Sequence, residues 1–585
     1  MTKKYAYTAA GLILLAALAL AFFSLRGDSI TTDESPHIVS GYSYLTQKDM
    51  RLNPEHPPLI KDLAALPLLF QNINFDTGHP SWINDINGQW SAGSHFLYES
   101  GNNPETIALS ARGAILLIFA LLGLLVFKIT KDKYGRAAAL VALALTVFSP
   151  NILAHGRYVT TDIGASLGFL LAIYCLTRFL DKPGGWNLAL AGASFGLAQL
   201  LKFSCFLLIP LYGFVLLVFY VSQNYQERHW GQSIFKLVKN LLAIIVIGYL
   251  LVWPVYQYHT WNYPTERQKN DTEIILNSFS YKPAANLVVQ MTEKPILRPY
   301  AQYLLGLLMV MQRSGGGNTA YFLGEVSSTA WKSYFPVVYL LKEPVPVLII
   351  MLVAVYYWFK RIFGTKKSLA RLAEWVQKKP FEFAGLSFIV LYWTTSILGN
   401  LNIGLRHILP TLPFFYILAA GKITEWFREK KTISSRVGRG VLVFILMLWF
   451  ITESVLTFPF YLSYFNTLAG GPANGYRYVA DSNLDWGQDL KRLASFVEAN
   501  NIEKIRLDYF GGGSPSYYLG DKYEKLDAGD ISQRNGWLAV SATLLQGGRA
   551  AAAQGFDQNT TYYKWLDKYE PVAEIGYSIF VYKLD

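Results

Sequence analysis

A chain of 585 residues that is 52% hydrophobic and only 16% charged is too apolar for an ordinary soluble protein of its length. Its formal net charge of +12 is uneven: from residue 458 onward 15 Asp and Glu face 12 Lys and Arg, so the basic excess lies in the apolar part. That distribution fits the positive-inside bias and makes nucleic-acid binding a poor explanation of the charge. The two cysteines, Cys175 and Cys205, both sit in apolar runs and exclude a disulfide framework or a cysteine metal site.

In chain order, about eleven apolar blocks have the roughly twenty-residue length that crosses a ~30 Å hydrocarbon layer as a helix. They cover residues 7–23, 107–127, 137–153, 163–179, 188–202, 203–221, 237–253, 345–358, 383–398, 408–420 and 441–458. Lys3-Lys4 precedes the first, but Phe22-Phe23-Ser24 lacks small-residue cleavage chemistry, so an uncleaved helix is expected. The connections 128–136, 360–379 and 422–439 are rich in Lys and Arg and face the cytoplasm. The expected fold is therefore an all-α polytopic membrane domain, residues 1–457, with a cytoplasmic N-terminus and outer loops at 24–106 and 255–343. A small extracytoplasmic α/β domain follows at 458–585, with helical spacing over 488–500, strand alternation over 504–510, another strand over 536–545 and a strand pair about Gly576.

The first outer loop is the most informative stretch. Asp33-Glu34 follows directly on the first apolar block, and Asn53-Pro54-Glu55-His56-Pro57-Pro58-Leu59 forms a stiff turn that delivers a carboxylate and an imidazole. An amphipathic stretch over 59–70 is suited to lie along the membrane surface. Carboxylates on a proline-braced loop just outside a membrane helix are what a membrane enzyme needs to hold a base at the water–lipid boundary. In the second long loop an apolar stretch over 300–311 leads to Ser314-Gly315-Gly316-Gly317. This run reads as a hinge or tight turn, because a phosphate cradle needs a following helix with Lys.

Asp33 is the leading general base, since partial desolvation beside a bilayer raises a carboxyl pKa. The competing reading is a helix N-cap in Thr32-Asp33-Glu34-Ser35-Pro36. Asp162, in Tyr158-Val159-Thr160-Thr161-Asp162, lies at another outer helix entrance, and two such acids point to one converging site. Glu55-His56 positions a substrate or binds a metal. A braced turn is the stronger reading, since a closed zinc site needs four ligands. Lys202 ends an apolar block, where it snorkels or offers a point charge to a phosphate. Arg406-His407 opens another, where Arg grips a phosphate or a lipid headgroup. Asp481-Ser482-Asn483-Leu484-Asp485 begins like a calcium loop, but Trp486 stands where that loop needs Gly and Arg492 where it needs Glu. A polar turn facing the acceptor is expected there instead.

Together, Asp33-Glu34, Asn53-Pro54-Glu55-His56-Pro57-Pro58-Leu59, Asp162 and Arg406-His407-Ile408-Leu409-Pro410 resemble the GT-C glycosyltransferases. The nearest branch is the bacterial protein O-mannosyltransferase-like enzymes, with the aminoarabinose transferase of lipid A as a cousin. Tyr321-Phe322-Leu323-Gly324-Glu325, Tyr334-Phe335-Pro336 and Asp481-Ser482-Asn483-Leu484-Asp485-Trp486-Gly487-Gln488 also resemble that branch. The resemblance implies a polyprenyl-phosphate sugar donor, a protein, lipid or glycan acceptor, and inverting transfer at the outer face of a bacterial plasma membrane. It implies Asp33, Glu34 and Asp162 as catalytic residues, with Lys202, Arg406 and His407 at the donor phosphate. Glu55, His56, Asp481, Asn483 and Asp485 would position substrate. Two cations suffice at a monophosphate leaving group, so no metal or other cofactor is expected. His56 stands where the aminoarabinose enzymes carry Lys, and the β-trefoil insert of eukaryotic protein mannosyltransferases has no counterpart. The rival class is a transporter or flippase; the duplicated halves and mid-membrane polar breaks usual there are not seen in the sequence.

Overall fold

The computed structural model describes residues 2–223, 230–363, 369–429 and 432–584, and all eleven apolar blocks fall on helices. Among the described residues, seven helices are long and apolar enough to cross a membrane: Lys3–Leu25, Pro104–Tyr134, Asp162–Asp181, Phe203–Gln223, Trp230–His259, Pro380–Leu398 and Ile433–Leu456. An eighth span forms if Tyr334–Lys342 and Val345–Arg361, bent by 114° at their junction, are taken together. The expected count of about eleven is thus not reached among the described residues. The block at 137–153 breaks because Ser149-Pro150 starts a new helix, Pro150–His155, leaving Arg136–Val147 only 12 residues long. Gly185–Leu201 stops at 17 residues. Leu412–Glu429 carries Lys422, Glu425, Arg428 and Glu429 in its second half, which shortens its apolar run.

The outward faces of these helices are what hydrocarbon would meet: Leu242, Val246 and Leu250 form an exposed stripe along one of them, and Leu117, Leu121 and Leu124 another. Inside the bundle the backbones approach closely. A Cβ on Gly196 would lie 2.4 Å from the Gly248 carbonyl oxygen, so Gly185–Leu201 and Trp230–His259 pack glycine against glycine.

In the first long loop, Glu34–Gln47 lies against Leu59–Ala65, and the 3-10 turn Leu66–Phe70 leaves Phe70 90% exposed, as the amphipathic pattern predicts. The second long loop folds as Thr265–Ile275, Lys282–Thr292 and Arg298–Gly316. Gly317, at φ +77°, ends the last of these, so the glycine run terminates a helix instead of forming a hinge. A tight hairpin, Ala320–Phe322 with Glu325–Ser327, turns through Leu323 and Gly324, both at positive φ.

The tail forms a five-stranded sheet in the order Tyr523–Lys525, Ile505–Asp508, Gly536–Ser541, Ile579–Leu584, Ala573–Ile575. Leu490, Leu493 and Val497 of the helix Leu490–Ala499 pack on Ile505, Leu507, Ala539 and Val581. The strand expected over 536–545 ends at Ser541 and continues as the helix Ala542–Gly547. Several contacts tie this unit to the helical part, among them a strand pairing and a buried ion cluster. Ala551–Ala552 joins the Glu325–Ser327 strand in parallel. Buried Asp28 accepts from Arg157 at 2.8 Å, Arg492 at 2.7 Å and the Tyr158 hydroxyl at 2.6 Å.

Candidate active site

Asp33 holds the N-cap position of Glu34–Gln47, yet its carboxylate makes no capping hydrogen bond. The side chain instead meets Arg406, whose Nη1 donates to Oδ2 at 2.5 Å. Arg406 sits on the 3-10 turn Leu405–His407 after Pro380–Leu398, and its Nη1 is 3.9 Å from Asp162 Oδ2. Asp162 opens one helix and Lys202 closes the next, Gly185–Leu201. This antiparallel pair brings both to the same end of the bundle, where Lys202 Nζ donates to Asp162 Oδ1 at 2.5 Å. Four charges from four distant segments therefore alternate in sign: Asp33, Arg406, Asp162, Lys202. Such an array stabilises ions that would each be costly to bury alone.

Within the array the Asp33 side chain is 23% exposed and that of Asp162 only 2%, so Asp33 is the more accessible of the two carboxylates. Burial is the largest single influence and acts to raise the Asp33 pKa, but the charge and hydrogen bond of Arg406, together with nearby His37, outweigh it and hold the group below the usual carboxylate range. This corrects the expectation of a desolvated, elevated base. Opposing charges that act together reverse the effect of burial.

Glu34, expected beside Asp33 in the catalytic set, is engaged elsewhere. It is fully buried, and Arg112 grips it through Nε at 2.8 Å and Nη2 at 2.6 Å. It also accepts from the backbone N–H of Thr31 at 2.9 Å and of Val159 at 3.1 Å. It thereby joins the strip before Asp33 to the turn before Asp162. Glu55 accepts from Gln89 Nε2 at 3.0 Å and lies 4.0 Å from Arg313. His56 packs edge-to-face on His37 at 5.1 Å. Burial lowers both imidazole pKa values, as it does that of half-buried His407 beside Lys202 and Arg406.

Sequence reasoning missed three residues near this centre. His37, one helical turn after Asp33, donates from Nδ1 to the Val159 carbonyl at 2.8 Å. Lys61 donates to the carbonyls of Asn53 and His56, each at 2.8 Å, and so fixes the proline-braced turn; burial brings its pKa down to about 7. A lysine on the inner face of an amphipathic helix was the available signal. Trp486, the third, stacks on the Arg406 guanidinium with 4.3 Å between charge and ring centre.

The segment 480–489 brings the remaining expected residues close. Asp481 is half-buried at φ +55°, and burial, against the pull of Arg406, pushes its carboxyl up to about 6. Asn483, expected to position substrate, is fully buried and spends its amide on the protein. Oδ1 accepts from Leu405 N–H at 2.9 Å, while Nδ2 donates to Tyr334 at 2.9 Å and to the Ala480 carbonyl at 3.1 Å. Asp485 is likewise buried and accepts from Thr543 N–H at 2.8 Å. Among the described residues, no group of three or more His, Cys, Asp or Glu is placed to hold a metal ion.

Burial pushes Asp485 up to about 8 and, despite Arg492, Asp489 up to about 6. A carboxyl whose pKa is higher folded than unfolded keeps its proton in the folded form, so stability is full below about pH 4 and declines as pH rises toward about 8. The melting temperature of the detergent-solubilised protein is expected to fall between about pH 4 and about pH 8, and Asp485→Asn to flatten that fall. An unchanged slope in the variant would remove Asp485 as its source.

The family model described as dolichyl-phosphate-mannose-protein mannosyltransferase matches residues 106–253, which hold Asp162 and Lys202. The protein O-mannosyltransferase Pmt1-Pmt2 complex of S. cerevisiae, bound to its sugar donor, aligns with a TM-score of 0.54 at 10% identity, over 78% of this chain and 90% of that one. The chain has the GT-C fold. It is an integral membrane protein, as its apolar helices require. The archaeal oligosaccharyltransferase AglB from Archaeoglobus fulgidus aligns at a TM-score of 0.47 and 11% identity, over 96% of this chain and 72% of that one. ArnT from Cupriavidus metallidurans, bound to undecaprenyl phosphate, gives 0.30 and 11% over 97% of each chain, and neither of these carries weight here. No curated protein matches the chain in sequence.

Proposed function

We propose that the chain is an inverting glycosyltransferase that moves a sugar from a polyprenyl-phosphate carrier to an acceptor hydroxyl on the outer face of a bacterial plasma membrane. The observation that carries this reading is the alternating array Asp33–Arg406–Asp162–Lys202, two acids and two cations at one end of the apolar helices. The Pmt1-Pmt2 complex, which has the same fold, is bound to its sugar donor, and the family model matched over residues 106–253 is described by a dolichyl-phosphate-linked sugar; together they support a lipid-linked sugar as substrate.

In the proposed reaction the donor phosphate meets Arg406 and Lys202, with neutral His407 beside them. Asp33 takes the proton of the acceptor hydroxyl as the new C–O bond forms at the anomeric carbon. The bond from that carbon to the phosphate oxygen breaks on the opposite face, and the electron pair leaves with the phosphate. A phosphate oxygen competing for Arg406 loosens its hold on Asp33, so donor binding itself strengthens the base. Asp162 keeps the two cations oriented, Glu34 braces the backbone on both sides of the array, and Asp481, Glu55 and His56 line the acceptor approach. The sugar is mannose or another hexose or pentose, and the acceptor a protein, lipid or glycan.

The test uses the full chain in lipid nanodiscs with a radiolabelled polyprenyl-phosphate sugar and undecaprenyl phosphate as binding probe. Release of the lipid phosphate with sugar transfer supports the enzyme; solute flux without lipid consumption supports a transporter instead. Lys202→Ala with Arg406→Ala is expected to weaken undecaprenyl-phosphate binding by about 100-fold or more, from two lost charge-assisted contacts. Undiminished affinity would overturn the assignment of those cations.

A further inference from the structure

Trp486 belongs to the C-terminal unit yet bonds to Thr32, the residue before Asp33, and lies against Arg406. Its carbonyl accepts from Thr32 N–H at 3.0 Å and from the Thr32 hydroxyl at 3.3 Å, fixing the backbone that presents Asp33. Its indole face lies under the Arg406 guanidinium at 4.3 Å. The same segment repeats this double grip on either side. Ser29 donates from its hydroxyl to the Gly487 carbonyl at 2.7 Å and from its N–H to the Gln488 carbonyl at 2.9 Å. Ser482 donates to the Ile403 carbonyl at 2.8 Å, and Asn483 accepts from Leu405 N–H at 2.9 Å. The indole is itself held edge-on by His155 at 5.9 Å and Tyr158 at 6.2 Å.

All N–H bonds of a guanidinium lie in its plane, so a ring stacked on the face leaves every donor free along the edge. In Arg406 one edge group, Nη1, goes to Asp33, while Nε is buried and makes no hydrogen bond within the protein. A buried donor of a permanently charged group is costly to leave unmatched, and an anion's oxygens match it. Since Trp486 is 1% exposed, the stack is shielded from solvent, where the attraction between cation and ring is strongest.

We infer that Trp486 is a positioning residue for the donor phosphate: it fixes the plane of Arg406 so that the free edge meets the phosphate while Asp33 stays beside it. This rests on the proposed function. The C-terminal unit thereby supplies part of the donor site, which neither its position in the chain nor the helical bundle alone would suggest.

A residue that merely fills space would respond to size, whereas a residue that orients a cation through its ring responds to ring electrostatics. The decisive experiment therefore replaces Trp486 in the full chain, by nonsense suppression, with mono-, di- and trifluorinated tryptophan. These nearly preserve volume while draining charge from the ring face. Affinity for undecaprenyl phosphate and melting temperature are measured in nanodiscs for each. The expected result is a Kd that climbs with each fluorine, by about tenfold across the series, with the melting temperature unchanged. Trp486→Phe is expected to bind better than Trp486→Leu. A flat Kd across a series in which the parent binds the probe overturns the role of Trp486 and leaves the proposed function standing. A parent protein that neither binds undecaprenyl phosphate nor consumes a polyprenyl-phosphate sugar overturns the proposed function, and this inference with it.

Discussion

Asp33→Asn is expected to abolish sugar transfer, by about 10²–10⁴-fold, while the protein stays folded and still binds undecaprenyl phosphate. The substitution is nearly isosteric, and the amide oxygen still accepts from Arg406 Nη1, now 2.5 Å from the carboxylate. What is lost is the capacity to take a proton. What is gained is a guanidinium no longer shared with a formal negative charge, so affinity for the lipid phosphate is expected to rise. Turnover and probe affinity should therefore move in opposite directions. That split separates a lost base from a damaged site, because damage lowers both. Turnover within tenfold of the parent would reassign the proton acceptor, with Asp481 the next carboxyl, since burial holds it at about 6.

The second large effect is structural. Glu34→Ala leaves Arg112 buried without its partner, and breaking a buried pair from one side costs about 3–5 kcal/mol. It also strips acceptors from the N–H groups of Thr31 and Val159. Little folded protein is expected, with a sharply lowered melting temperature in whatever is recovered. The double variant Glu34→Gln with Arg112→Met is expected to regain part of the loss, because it removes both charges and keeps one acceptor oxygen. A single variant that melts with the parent would mean that Arg112 finds another partner, and the brace would be unnecessary.

These two neighbours show what could be read from the chain and what could not. Asp33 and Glu34 are adjacent, and sequence alone gave both the same role. At the start of a helix successive side chains leave about 100° apart, so one acid reaches the array and the other faces Arg112, 78 residues further along. Asp162, Lys202 and Arg406 were legible because each stands at the mouth of an apolar block, where a charge needs a reason. Their pairing was not, since Asp33 and Arg406 are separated by 373 residues. Hence the sign of the Asp33 shift also came out reversed: burial can be inferred from position, but a counter-ion only from the fold. Helices were legible from composition, yet Ser149-Pro150 and the charged end of Leu412–Glu429 decide which of them are long enough to span.

The bond between the Ser29 hydroxyl and the Gly487 carbonyl closes a circuit of 458 residues. During synthesis the first membrane helix is inserted long before Gly487 leaves the ribosome, so each nascent chain carries Asp33, just beyond that helix, without the guanidinium, the indole or the turn that clasps them. Catalytic competence is thus deferred until nearly the whole polypeptide has been threaded. An interrupted translation product, even one with most of its membrane helices in place, would lack the assembled charge array on which the proposed function depends.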